Sequence, residues 1–371
     1  MHHRQLNKCM DSIIRSSITE PFDPSTLKAE VKNATIGQLV EMLRNDLIDL
    51  NPDFQRHANL WDTKRKSQLI ESILLGLPLP SFYFYNDSNS KKWVVIDGLQ
   101  RLCSLKSFMV DEDLTLRGLE FLDEKKYGVP YKSFSYYDKL AISMHSVTLN
   151  VLSGNASAEA RYIIFQRVNS KGTPLTPVEI RNALYQGKAT DLISYMVKLD
   201  VFKMMVSQKI SVNRMKDREF ASRFLAFYLN DYHDYADFKS LDVLISNTMD
   251  AINKTFNDNQ VMEVVSLFEL SIKVCKRLLG EDAFRKPTSG QRRNQVSLAI
   301  FEMLTVSIAH LDKVQQQKLI NRRQAFNYLY NDLFDDQLMQ KYLSSGMGNN
   351  IAVRYRFDKI TQIIEKTLTN Q

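Results

Sequence analysis

The residues around Asp97 combine types that suit phosphate chemistry. Apolar residues 93–96 predict a buried strand, which Asp97 and Gly98 end. An amphipathic stretch follows, so the segment predicts a strand, a tight turn and the N-terminus of a helix. Glycine allows a ligand to approach the backbone closely, and the first N–H groups of a helix attract anions. Arg101 adds a forked cation that fits phosphate oxygens.

This corner, residues 97–101, has a candidate role for each polar side chain. Arg101 and the N–H groups after Gly98 would hold phosphates, and Asp97 would bind Mg²⁺ or orient a water molecule. Gln100 would form a hydrogen bond to the same group. The alternative is a plain turn between strand and helix, in which Asp97 and Arg101 are exposed to solvent.

A second segment, residues 165–184, joins a polar loop to a strong helix start. Thr176 is typical of an N-cap, Pro177 suits the first helical position, and Glu179 completes a capping box. Helix stability alone explains this capping, so a capped surface helix after a flexible loop is one interpretation. It does not explain the polar side chains gathered in the same segment. These are Arg167, Asn169, Lys171 and Arg181.

A third segment lies upstream, at residues 51–56, and is followed by Trp61. In this order the three segments resemble the ParB/sulfiredoxin-like DGQQR family, also called domain-of-unknown-function family 262. That family supplies the N-terminal domain of GmrSD-type modification-dependent restriction enzymes and of other phage-defence proteins. The residues that match its motifs are Pro52, Gln55, Arg56 and Trp61, then Asp97, Gly98, Gln100 and Arg101, and then Phe165, Arg167, Asn169, Gly172, Leu175, Glu179, Arg181, Asn182 and Ala183.

The resemblance covers roughly residues 30–230 and implies nucleoside-triphosphate binding and hydrolysis, often coupled to the sensing of modified DNA. It implies catalysis by Asp97, Gln100 and Arg101. The residues that we expect to bind the nucleotide are Gly98, Gln55, Arg56, Arg167, Asn169, Lys171 and Arg181. Leu99 replaces a glutamine of the family pattern. This change either weakens catalysis or is silent, if the side chain faces the core.

Composition excludes several classes of protein. A chain of 371 residues with 44% hydrophobic and 25% charged residues predicts a soluble globular protein, which we expect to form two domains. Cys9, Cys103 and Cys275 are far apart, which argues against a disulfide framework and a zinc ribbon. The first residues lack the apolar core of a signal peptide, and no apolar run suits a membrane span. We therefore expect a cytoplasmic protein.

Common catalytic motifs are missing from the sequence. It contains no P-loop and no Gly-x-Ser-x-Gly nucleophile elbow. The histidines are scattered, and none forms a His-x-x-x-His or His-x-x-Glu cluster. Any nuclease activity would therefore reside in the first half of the chain or on a partner.

Periodicity divides the chain into a polar lead-in at residues 1–34, a mixed α and β domain at 35–186 and a helical domain at 187–371. The resemblance implies that the domain at 35–186 binds a nucleotide. We expect an α+β protein, with a small mixed sheet in a ParB/sulfiredoxin-like domain followed by an all-α domain. Strands are expected at 47–50, 81–85, 93–96 and 147–152, and helices after Thr35 and Asp62 and at 156–168. The helical stripes of the second half are at 191–206, 217–230, 241–256, 261–279, 295–311, 315–329 and 351–367.

Charge favours a polyanionic partner. The net charge is +7, and basic residues recur in short runs such as Lys64-Arg65-Lys66. For any single pair, a solvated surface is the simpler interpretation. The candidates for DNA contact are Arg292, Arg293, Arg322 and Arg323. A cluster of four tyrosines could stack on a base or pack a loop against the core; these are Tyr127, Tyr131, Tyr136 and Tyr137.

These observations predict a protein that binds and hydrolyses a nucleoside triphosphate with Mg²⁺, in a bacterial anti-phage or restriction system that senses DNA. A non-catalytic, nucleotide-gated DNA-binding or adaptor protein is the first alternative, and a Mg²⁺-dependent DNA nickase is the second. A protein partner from a defence system and an oligomer are both compatible with the sequence, whereas a membrane is not an expected partner.

Overall fold

The computed structural model describes residues 27–50, 61–86, 92–154, 158–168, 175–238, 240–287, 295–344 and 348–369. The chain divides into two compact units between Leu184 and Tyr185. The described part of the first unit is residues 27–184, and that of the second is 185–369. The two are treated separately below as the N-terminal unit and the helical unit.

The N-terminal unit combines a sheet with helices. Its strands are β1 (Leu27–Thr35), β2 (Ile48–Asp49), β3 (Phe82–Asn86), β4 (Trp93–Asp97) and β5 (Ser146–Gly154). Its helices are α1 (Ile36–Arg44), α2 (Thr63–Leu74), α3 (Leu99–Met109), α4 (Glu124–Tyr127), α5 (Tyr136–Met144), α6 (Ala158–Val168) and α7 (Pro177–Leu184). A 3-10 turn, Tyr131–Ser133, precedes α5.

The sheet is small and mixed, as predicted, with the strand order β1-β5-β3-β4-β2. The β1–β5 and β3–β4 pairs are antiparallel, whereas the β3–β5 and β2–β4 pairs are parallel. The strands expected at 81–85 and 93–96 are therefore present as the antiparallel pair β3 and β4. Asp97, which ends β4, pairs with Tyr83 of β3, whereas β2 pairs only with Trp93 and Val94 at the start of the strand.

Alternate residues of β3 and β4 pack into two different hydrophobic clusters. Phe82, Phe84 and Val95 join the larger cluster with apolar residues of α1, α2, α3 and α5. Tyr85 and Ile96 join a smaller cluster with apolar residues of α6 and α7. This alternation is the period-two pattern of strands buried on both faces. Helices therefore cover both sides of the sheet at β4.

One part of the expected lead-in belongs to the sheet. Residues 27–34 were expected within the polar segment 1–34, but they form most of β1, which pairs with β5 along its whole length. Leu27, Ala29 and Val31 alternate with charged residues, which is a strand pattern on an exposed edge. The charged residues between the apolar ones made this segment look like part of the polar lead-in. Residues 110–135 contain α4 and the short 3-10 turn.

The helical unit confirms the predicted helical second half. Its helices are α8 (Lys188–Met196), α9 (Asp200–Met205), α10 (Lys216–Leu229), α11 (Leu241–Thr255), α12 (Asp258–Leu279), α13 (Leu298–Ala309), α14 (Lys313–Asn321), α15 (Arg323–Asp332), α16 (Gln337–Ser344) and α17 (Asn350–Thr369). The helices expected at 191–206 and 315–329 are each divided in two. An isolated β-bridge joins Arg285 to Val296.

The helical unit buries a cluster of charges. Glu302 of α13 is fully buried between two arginines, with Oε1 2.6 Å from Arg356 of α17 and Oε2 3.1 Å from Arg223 of α10. Burial alone would lower the pKa of Arg223, but Glu302 and Glu219 raise it above its ordinary value. The carboxylate thus joins α10, α13 and α17. Among the helices of the described residues, none has the length and apolar character to cross a membrane.

Candidate functional site

The corner has the predicted strand, turn and helix. Strand β4 ends at Asp97, Gly98 adopts a left-handed conformation with φ 103°, and α3 begins at Leu99. No side-chain hydrogen bond caps α3, whereas Thr35 caps α1 and Asp62 caps α2. The first N–H groups of α3 therefore lack the capping side chain that the neighbouring helices have, and they carry the positive end of the helix dipole.

Gly98 is required at the corner for two reasons. Its positive φ is a conformation that L-residues with side chains rarely adopt. In addition, a Cβ atom at this position would collide with Cδ1 of Phe82 and lie 3.0 Å from Cε1 of the same ring. The Phe82 ring thus fills the space beside the turn. Sequence analysis missed Phe82, because only the sheet brings it next to Gly98.

Arg101 is buried, with 8% of its surface exposed, so the interpretation that it is exposed to solvent is wrong. Its guanidinium donates hydrogen bonds to the carbonyls of Pro80 and Ser81, and it lies 4.3 Å from the centre of the Phe82 ring. It also donates to Oδ2 of Asp97 at 3.3 Å. Burial lowers the pKa of Arg101, and the nearby Asp97 carboxylate partly offsets this effect. The side chain fixes the start of β3 to the corner.

Asp97 remains partly accessible, with 34% of its side chain exposed. Within the described ranges, no group of three His, Cys, Asp or Glu residues is arranged to hold a metal. Mg²⁺ is commonly bound by one or two carboxylates together with the phosphates of a substrate. The donor set at Asp97 therefore fits Mg²⁺ that arrives with a nucleotide.

Gln100 connects the corner to the third sequence segment. Its Oε1 accepts a hydrogen bond from the backbone N–H of Trp61 at 3.3 Å, which places the end of that segment beside α3. Gln55 and Arg56 lie outside the described residues. Leu99 packs against the larger hydrophobic cluster, so its side chain contacts the core. The apolar residue at this position therefore has a packing role.

The capping box of the second segment is confirmed. The Thr176 N–H donates to Glu179 at 2.7 Å, and the Glu179 N–H donates to the Thr176 hydroxyl oxygen at 3.3 Å. Helix α7 begins at Pro177, as predicted. Glu179 is 1% exposed, and Thr176 is half-buried. Helices α6 and α7 both contact β4, the strand that ends at the corner.

The basic and amide residues of the second segment differ in their surroundings. Arg181 and Asn182 are buried in α7, with 1% and 5% exposed. Arg167 is exposed in the last turn of α6. Asn169 and Lys171 lie outside the described residues. The structure thus brings Asp97, Gly98, Gln100 and Arg101 together, and it packs the helices that carry Arg167 and Arg181 against the same strand.

Two of the four candidates for DNA contact, Arg322 and Arg323, are described in the helical unit. The Arg322 guanidinium donates to the carbonyls of Thr367 and Leu368 at 3.0 and 3.4 Å, at the C-terminal end of α17. Arg323 is exposed. Arg292 and Arg293 lie outside the described residues.

Residues 36–186 match the family model described as the GmrSD restriction endonuclease, N-terminal domain. No curated protein and no solved structure matches the chain. The match begins with α1 and ends just after α7, so it includes the corner and the capped helix. The resemblance inferred from the sequence motifs is confirmed: residues 36–186 are similar to the N-terminal domain of GmrSD restriction endonucleases.

Proposed function

We propose that this domain binds a nucleoside triphosphate at the corner and hydrolyses it with Mg²⁺. The observation that carries the proposal is the start of α3, where Gly98 is left-handed and no side chain caps the helix. Backbone N–H groups at such a position are suited to phosphate oxygens. A half-exposed carboxylate, Asp97, lies directly beside them.

Each residue of the corner has a proposed part in the reaction. The N–H groups at the start of α3 hold a phosphate, and Asp97 orients the attacking water. Mg²⁺, when bound by Asp97, would neutralise developing charge on the phosphate oxygens. The amide group of Gln100 donates to the same phosphate, while its carbonyl oxygen remains bonded to Trp61. Arg101 acts as a positioning residue, because its guanidinium fixes Asp97 and the start of β3.

The family supports the wider biological setting. A GmrSD restriction domain indicates a restriction or phage-defence system and suggests an interaction with DNA. We propose that DNA changes the rate of nucleotide hydrolysis. Two ligands that bias one conformational equilibrium are thermodynamically coupled.

Replacing Asp97 tests the proposal. Asp97→Asn keeps the shape of the side chain but removes its charge, so it should abolish Mg²⁺-dependent phosphate release and weaken nucleotide binding much less. Asp46→Asn is the matched control, since Asp46 is exposed and its positive φ suits asparagine. Equal loss of binding and hydrolysis in Asp97→Asn, or wild-type hydrolysis, would contradict the assigned role.

Nucleotide binding without hydrolysis is a second candidate function. The observation that favours it is Arg101, whose guanidinium is engaged by backbone carbonyls and Asp97 instead of pointing to solvent. Incubating the protein with each nucleoside triphosphate, Mg²⁺ and plasmid DNA separates the functions. Released phosphate indicates hydrolysis, binding without release indicates a nucleotide-gated adaptor, and nicked plasmid indicates a nickase.

A further inference from the structure

A polar cleft of about 530 Å³ lies between the start of α2 and the chain that follows α3. One wall is formed by Thr63 and Lys64, and the other by Thr115 and Arg117. Leu114, which is 5% exposed, supplies the apolar part of the lining. The cleft brings the basic run that begins at Lys64 together with an arginine about fifty residues later in the chain.

Two buried polar side chains of α2 fix the second wall. Ser67 is fully buried; its hydroxyl accepts the Arg117 N–H at 2.9 Å and donates to the Thr63 carbonyl at 2.7 Å. Glu71, 3% exposed, accepts the N–H groups of Glu120, Phe121 and Leu122 at 2.8–3.1 Å. A buried carboxylate is costly unless it is fully hydrogen-bonded. Here its bonds hold an irregular surface loop in one conformation.

The other charged side chains in and beside the cleft have partners of their own, so the Arg117 guanidinium is available to bind a ligand. Ser107 donates a hydrogen bond to Asp113, and Gln68 donates to Glu120 at 2.6 Å. Lys64 lies 3.8 Å from Glu120, a long ion pair between two exposed side chains. Arg117 is exposed, and within the described chain no ion pair or side-chain hydrogen bond engages its guanidinium.

We infer that this Lys64–Arg117 cleft binds the phosphate backbone of DNA. Sites for small molecules are lined mainly by apolar and aromatic groups, which would be needed to hold a base. This cleft instead offers two cations and two threonine hydroxyls, beside the Asp113 carboxylate, which accepts a hydrogen bond from Ser107. Such cations and hydroxyls are the groups that contact phosphate and sugar in protein–DNA complexes. The inference deepens the proposed function, since it places the DNA contact of that function in the N-terminal unit.

The position of the cleft explains how DNA would influence the corner. Thr63 and Lys64 follow Trp61 closely, and the Trp61 N–H donates to Gln100 in the first turn of α3. Helices α2 and α3 also contact one another directly. A shift of the α2 start on DNA binding therefore reaches the corner through one hydrogen bond and one helix contact.

The test compares two double variants of the full chain, each of which removes two positive charges. Lys64→Gln with Arg117→Gln alters the cleft and keeps the aliphatic stems. Lys198→Gln with Lys313→Gln is the control, because both lysines are exposed and outside the cleft. Binding of an unmodified DNA duplex is measured without nucleotide over a series of salt concentrations, and circular dichroism checks that each variant is folded.

Loss of two phosphate contacts should lower the slope of log K against log salt by about 1.8 in the cleft variant, since each contact contributes about 0.9. The control should retain most of the wild-type slope. Equal losses in both variants, or no DNA binding by the wild type at low salt, would overturn the inference. A cleft variant that loses ATP affinity but keeps its DNA slope would overturn it too, by assigning the cleft to nucleotide.

A failure of the proposed function of the corner can be distinguished from a failure of the cleft inference. If the wild type neither binds nor hydrolyses nucleotide, the proposed activity of the corner is wrong, whereas the DNA measurement still decides the role of the cleft.

Discussion

The ring of Phe82 occupies the position that a Cβ atom on Gly98 would need. Phe82 also lies under the Arg101 guanidinium, 4.3 Å from ring centre to Cζ. One aromatic side chain of β3 therefore determines both which residue can form the turn and where the arginine of the corner lies. The geometry of the corner depends on packing against the sheet as much as on its own sequence.

Gly98→Ala should destabilise the protein by about 2–5 kcal/mol, because left-handed strain and overpacking add. Gly76→Ala is the control: Gly76 also has positive φ, but no atom lies within 4 Å of a Cβ built there. In Gly76→Ala, only the left-handed strain should lower the free energy of unfolding, by about 1–2 kcal/mol. Urea unfolding measures both. Equal losses would mean that the Phe82 contact relaxes at no cost.

Arg101→Ala should lower the free energy of unfolding by about 1.5–3 kcal/mol, the scale of hydrogen bonds to a charged group. Arg101→Lys should recover little, since a lysine cannot reproduce the forked contacts to Pro80, Ser81 and Asp97. Chemical denaturation provides the comparison, and Arg65→Ala, at an exposed position on α2, should stay within about 0.5 kcal/mol. If Arg101→Ala were as stable as the wild type, the positioning role of Arg101 would be contradicted.

Glu71 should make stability depend on pH in the acid range. Burial works to raise the pKa of the Glu71 carboxyl, but three backbone N–H groups outweigh it and hold the pKa below its ordinary value. The stabilisation is thus complete above the unfolded pKa of about 4.3 and is lost as the pH falls through the lower folded pKa. Glu71→Gln should cost about 1–3 kcal/mol at neutral pH.

The difference between wild type and Glu71→Gln should therefore shrink as unfolding is measured at progressively lower pH. Glu41→Gln, at a side chain that is 63% exposed, serves as the control and should show little difference at any pH. A Glu71→Gln deficit that is the same at pH 7 and in acid would assign the effect to packing.

Glu302→Gln should be among the most damaging single substitutions in the helical unit. It leaves Arg356 and Arg223 buried without their shared counter-charge, which costs about 3–5 kcal/mol. Glu269→Gln removes only a surface pair with Lys273 and should cost about 0.5 kcal/mol or less. Thermal unfolding followed by circular dichroism distinguishes the two. A loss below 1 kcal/mol at Glu302 would show that water or rearrangement replaces the carboxylate.

Local sequence signals predicted the parts of the site that depend on neighbours in the chain. The turn at Gly98 and the capping box of Thr176 and Glu179 each lie within a few residues, so spacing was sufficient to identify them. The burial of Arg101 was not predictable in this way. It depends on carbonyls of Pro80 and Ser81, which the sheet brings back to the corner.

The predicted helix boundaries were wrong where tertiary contacts outweigh the periodicity of the sequence. The stripe over 315–329 continues through Arg322, yet the helix breaks there, and the Arg322 side chain binds the carbonyls that end α17. The cleft was also outside the reach of sequence analysis, because Ser67 and Glu71 look like ordinary polar positions on a helix. Their partners lie about fifty residues further along the chain.

The strand β1 has a consequence for how this domain can be excised. Its nine residues pair with β5 from Leu27 opposite Gly154 to Thr35 opposite Ser146, and all of them precede the start of the family match at residue 36. A fragment cut at the limits of that match would leave the whole of β5 as an unprotected edge. Bare edges template pairing with other chains, so such a fragment should self-associate. A recombinant domain should therefore begin before Leu27.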